Sequence, residues 1–83
     1  MKVREALNLI SDGTRVRINT MHPQATIAEG FLAQVEDLLH KDKSGDEILE
    51  ARVNRMYAAP KKVPNRQSKK MEDVAVLVIF IED

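Results

Sequence analysis

Apolar positions change their spacing several times along this chain, and each change predicts an element. Val3, Ala6, Leu7 and Ile10 recur at helical spacing and share one face of a short amino-terminal helix. "SDGT" follows, and Gly13 suits the left-handed position just past a helix end. "TRVRINT" then alternates, with Val16 and Ile18 on one side and Arg15 and Arg17 on the other, the period of a half-buried strand. Pro23 in "MHPQ" breaks that strand. "ATIAEGFLAQVEDLL" resumes an extended pattern in which Ile27, Phe31, Ala33 and Val35 point one way. Gly30 inside the run predicts a bulge or sharp bend. Leu38 and Leu39 fit a short turn of helix as well as they fit a strand.

"HKDKSGDE" has the composition of a loop. In "EILEARVNRMYAA", Ile48, Leu49, Arg52, Val53 and Met56 fit helical spacing, whereas Ala51, Val53 and Tyr57 fit a strand. The reading adopted is a helical turn over Glu47–Glu50 and a strand from near Arg52. Pro60 and Pro64 end it. Residues 60–73 read as a basic, flexible loop. Val74–Ile81 is apolar on both faces and rich in β-branched residues, so it predicts a central strand covered on both sides. The order predicts an α+β fold, a short amino-terminal helix packed on a strongly bent four-stranded antiparallel sheet, as in a small SH3-like or Sm-like half-barrel. An open four-stranded sheet with the helix on one face is the alternative.

Size turns this into a single domain over residues 1–83, too small for a second core. A domain of this size hides only about 60% of its unfolded surface, so self-association is one route to more burial. The chain has no cysteine, which removes disulfides and every zinc site built on thiolates. "MKVREALNLI" lacks the apolar run of a signal peptide, and Val74–Ile81 is far shorter than the ~20 residues of a membrane-spanning helix. A soluble, cytoplasmic protein that does not engage membranes is the expectation.

Net charge is zero, yet it is segregated. Glu29 to Glu50 holds seven acids against two lysines, and Arg52 to Lys70 holds seven bases and no acid. That pattern suits head-to-tail contact between copies or the steering of a charged partner.

Catalytic signatures are not found. No serine lies in a nucleophile turn, and the glycines at Gly13, Gly30 and Gly45 are isolated rather than arranged around a phosphate. Asp42, Asp46 and Glu47 do not follow calcium-loop spacing. His22 and His40 read as surface or turn residues, and the neighbours Glu36–Asp37 and Asp46–Glu47 do not converge as an acid–base pair. The expectation is a non-enzyme without metal or cofactor. The candidate binding residues are Arg52, Arg55, Tyr57, Lys61, Lys62, Arg66, Lys69 and Lys70. The cations can track a phosphate backbone, and Tyr57 is the plausible platform for a base.

The order "MKVREALNLISDGTRVRI", "AEGFLAQVEDLL", "EILEARVNRMYAA" and "LVIFIED" resembles small uncharacterised accessory proteins of phages and prophages of Gram-positive bacteria. The likeness rests on hydrophobic spacings over most of the chain. It implies a compact β-rich accessory protein in the bacterial host cell with no catalytic residues to carry over. The stretches 41–46 and 60–73 depart from that outline.

Two functions follow as expectations. The first is a non-catalytic protein-interaction module, self-associating or bound to a host or phage protein. The second is a nucleic-acid-binding small β-barrel that uses the basic 60–70 stretch.

Overall fold

The computed structural model describes residues 1–41 and 43–82. Asp42, counted in the acidic stretch and the calcium-loop comparison, and Asp83, the last acid of the phage-like outline, lie outside them. The order is α1 (Val3–Asn8), β1 (Arg15–Met21), β2 (Gln24–Phe31), α2 (Leu32–His40), α3 (Lys43–Glu50), β3 (Val53–Pro64) and β4 (Met71–Ile81).

α1 buries the predicted stripe, with Val3, Ala6 and Leu7 almost fully enclosed. It stops earlier than expected. The Leu9 N–H donates to the Ala6 carbonyl and the Ile10 N–H to the Leu7 carbonyl, tightening the last turn. Gly13 is not left-handed; it sits in a turn closed by the Thr14 N–H on the Ser11 carbonyl at 3.0 Å.

β1 and β2 form the expected antiparallel hairpin, joined at a cis His22–Pro23 peptide. The register slips between Ile18 and Asn19, so the extra residue of the bulge is Ile27 and not Gly30. Gly30, at φ 150°, stays in the ladder opposite Val16.

The extended reading of residues 32–37 is overturned past β2, and of the two readings of Leu38 and Leu39 the helical one holds. The Phe31 N–H donates to Gln34 Oε1 at 3.0 Å, and α2 starts at Leu32. Leu32, Val35 and Leu39 form a buried helical stripe, which outweighs the competing alternation of Phe31, Ala33 and Val35. The expected loop is shorter as well, because α3 begins at Lys43 and runs into the predicted turn at Glu47–Glu50. Gly45 permits this. It is buried where the two helices meet, and a Cβ on it would fall 1.8 Å from the Leu39 carbonyl oxygen.

The sheet order is β2-β1-β4-β3. β4 is antiparallel to β3 but parallel to β1, so the sheet is mixed and the all-antiparallel expectation is wrong. The helical crossover explains it. Two helices carry the chain from the β1–β2 hairpin to the β3–β4 hairpin, and such a crossover is what parallel neighbours require. The sheet is open, with β2 and β3 as its edges. All three helices pack on one face, together with Val16, Ile18, Ala28, Ile79 and Ile81.

β4 is central, as its two-sided apolar pattern predicts. Its other side chains, Val76, Val78 and Phe80, form a second buried cluster with Met21 and Ala59. The segment expected to be a loop over 60–73 is strand at both ends, and only residues 65–70 form the turn. Beyond Val76, β4 has no pairing with β1. Met71–Ala75 and Pro60–Pro64 therefore continue as a two-stranded ribbon past the body of the sheet.

Candidate functional site

The helix-free face of the sheet can be read in rows from the strand register. Arg55, Phe80, Asn19 and Thr26 lie side by side across the four strands; below them come Tyr57, Val78, Arg17 and Glu29. The next row is Ala59, Val76, Arg15 and Phe31, and Lys61 follows beside Val74. Strand alternation alone puts these side chains on one face.

Aromatic and cationic groups are interleaved there. The Tyr57 ring stacks on Phe80 with centroids 6.0 Å apart and planes 20° from parallel. The Arg55 guanidinium lies 5.3 Å from the Phe80 centroid, and that of Arg15 lies 4.4 Å from the Phe31 centroid. Both distances are in the range of cation–π attraction. Phe80 is buried, whereas Tyr57 and Phe31 stay 45% and 40% exposed, enough to meet another ring.

An ionic strap crosses this face. Glu29 Oε1 accepts from Arg17 Nη2 at 3.2 Å and also from Lys61 Nζ. Glu29 belongs to one edge strand and Lys61 to the other. In a flat sheet those edges stand three strand spacings apart, about 14 Å. The contact shows that the sheet coils one corner toward the other, and the strap helps close off Val76 and Val78 where no helix covers them. Asn19 is also enclosed on this face, and its Oδ1 has no hydrogen-bond partner.

Glu29 is held below the ordinary 4.5, first by the hydrogen bond from Lys61 and then by that from Arg17. Glu50 is lowered in the same sense by Lys2 and Arg4. A carboxylate with a depressed folded pKa adds stability above its unfolded pKa, and that contribution is lost as pH falls through the folded value. Glu29→Gln is therefore expected to show a flatter fall of melting temperature below pH 4.5 than the wild type, with at most about 1 kcal/mol between them at neutral pH. Glu50 remains in both proteins, so the difference isolates Glu29. Identical acid profiles would remove the strap's electrostatic contribution.

The eight sequence candidates are divided by the fold. Arg55, Tyr57 and Lys61 share the helix-free face. Lys62 points to the opposite face, paired with Asp73. Arg66, Lys69 and Lys70 occupy the ribbon's turn, where Asn65 Oδ1 accepts from the Gln67 and Ser68 N–H groups and Lys69 takes a left-handed φ of 57°. Arg52 lies before β3, and its backbone is tied to Lys2 and Glu82 at the other end of that strand. Sequence reasoning did not select Arg15, Arg17, Asn19, Glu29 or Phe31. The alternation in "TRVRINT" had set both arginines opposite the core, which was the available signal.

The opposite face of the ribbon differs in character. Met71 is exposed there, Met56 is exposed on the same face of β3 beside Ile79, and a groove of about 290 Å³ runs along residues 58–60 and 73–75 of the paired strands. Among the described residues, no three His, Asp or Glu side chains gather as metal ligands, and no helix is long and apolar enough to cross a membrane. No protein-family model matches the chain, nor does any curated protein or solved structure.

Proposed function

We propose that this chain is a non-catalytic module that binds single-stranded nucleic acid on the helix-free face of its sheet. One observation carries the reading: Tyr57, exposed and backed by Phe80, stands on the same face as Arg15, Arg17, Arg55 and Lys61. Binders of single strands combine such aromatic platforms with cations that follow the backbone. A base stacks on Tyr57, the Arg15–Phe31 pair offers a second platform, and the ribbon's Arg66, Lys69 and Lys70 extend the positive track. A duplex hides the base faces, so single strands are preferred.

Fluorescence anisotropy with an eight-nucleotide oligothymidine and an eight-base-pair duplex at low salt tests this. The single strand is expected to bind more tightly. Tyr57→Ala is expected to weaken it roughly 5- to 150-fold, the equivalent of about 1–3 kcal/mol for one stacked base. Equal binding of both forms, or binding indifferent to Tyr57→Ala, overturns the reading.

A second reading, a self-associating protein-interaction module, is favoured by the opposite face of the ribbon. Met71 offers apolar area there and Met56 extends it along β3, and the ribbon's lysines complement Glu36, Asp37, Asp46 and Glu47 on the helices of another copy. Sedimentation at high and low salt tests it, and a clean monomer at both removes it. Either activity suits a small phage or prophage accessory protein of the bacterial cytoplasm, the role implied by the sequence outline.

A further inference from the structure

We infer that Arg17 and Lys61 form a phosphate-binding pair kept assembled by Glu29, a resident carboxylate that an incoming nucleic-acid backbone displaces. This rests on the single-strand reading and names the atoms that meet the phosphate. Two cations from strands that are not neighbours converge on one oxygen, Glu29 Oε1. A non-bridging phosphate oxygen presents the same chemistry, a negatively charged acceptor with room for two donors.

The surroundings favour exchange. The pair stands over Val76 and Val78, which are almost fully buried and keep water from one side, so charge contacts here are stronger than on an open surface. The three side chains remain 27–36% exposed, so a ligand can reach them. Glu29 is on the edge strand β2, where its carboxylate can swing outward to solvent while the phosphate that replaces it holds Arg17 and Lys61 together beside Val76 and Val78. Tyr57 shares a row with Arg17 two strands away, about 10 Å, so a nucleotide stacked on the ring brings its backbone toward the pair. While Glu29 is in place the group carries one net positive charge; once it swings away, two face the phosphate.

Removing the competitor should tighten binding. Glu29→Gln is expected to bind the oligothymidine roughly tenfold more tightly than wild type at low salt, as loss of one negative charge beside the phosphate implies. Glu72→Gln removes an equal charge from the same face at the ribbon's turn, where Glu72 accepts from Asn65 Nδ2 and touches neither Arg17 nor Lys61. Its gain in affinity is expected to be smaller than that of Glu29→Gln. Glu29→Thr, whose β-branched side chain suits an edge strand, takes the place of the glutamine variant if that loses its melting transition. Oligothymidine affinity for Glu29→Gln no higher than wild type, or no higher than Glu72→Gln, overturns the inference and leaves the single-strand reading standing. If wild type binds no oligonucleotide the reading falls, and pyrophosphate then decides the inference alone. Side-chain NMR signals of Arg17 and Lys61 are expected to shift with pyrophosphate at lower concentration in Glu29→Gln than in wild type. No such difference sinks it.

Discussion

Gly45→Ala is expected to destabilise the protein by about 3 kcal/mol, at the upper end of what overpacking costs. The sign is what makes the substitution informative. Inside an ordinary exposed helix, alanine in place of glycine adds about 1 kcal/mol of stability. Here a Cβ would stand 1.8 Å from the carbonyl oxygen of Leu39, 2.5 Å from its carbonyl carbon and 2.7 Å from its Cα. These are backbone atoms, and no side-chain rotation relieves the overlap. α2 and α3 must separate, and Leu39 and Leu49 then lose packing in the helix-side core. For a domain of this size, 3 kcal/mol lowers the melting temperature by roughly 12–24 °C. Urea denaturation read by far-ultraviolet circular dichroism measures it. A stabilised or neutral Gly45→Ala would mean that the two helices do not cross at this glycine.

That contact also shows where the sequence becomes illegible. Gly45 stands in "KSGDE", a stretch with every compositional mark of a loop, and only its neighbour in space gives the glycine its purpose. Residues 32–37 fail for a related reason: Phe31, Ala33 and Val35 alternate while Leu32, Val35 and Leu39 follow a helical stripe, and the two patterns share Val35. Burial and the Gln34 cap decide between them, and both depend on tertiary structure. Elements with one unambiguous period were legible, namely α1, β1 and the run closing the chain.

Strand order was not legible, because a parallel neighbour is created by the crossover and leaves no mark on either strand's own pattern. The site inherits this. Alternation located Arg15 and Arg17 on one side of β1 and set Tyr57 in a strand, whereas Lys61 was read as loop because Pro60 precedes it. Only the placement of β4 between those strands puts them on one surface. The basic stretch was visible as composition, but its division into a strand pair and a turn at Asn65 was not.

The two-sided burial of β4 leads to the other large expected effect. In a strand with one face in water, truncating adjacent residues gives one costly change and one nearly neutral change. In β4, Ile79→Ala and Phe80→Ala are both expected to be costly, by about 2–5 and 3–5 kcal/mol. Ile79 is fully enclosed among the helices, and Phe80 is 5% exposed on the opposite face. Phe80 is covered without any helix, by Tyr57, the Arg55 guanidinium and the curl of the sheet itself. Leu77 supplies the internal comparison. It points to the helix side but is only half-buried, opposite Ala58 where the ribbon leaves the body, and Leu77→Ala is expected to fall below the range for enclosed residues. Urea midpoints of the three variants, with unchanged slopes, rank them directly. A Phe80→Ala cost under about 1 kcal/mol would show that the helix-free face has no core of its own. The platform under Tyr57, and with it the surface proposed to receive a nucleic-acid base, would then lack its rigid support.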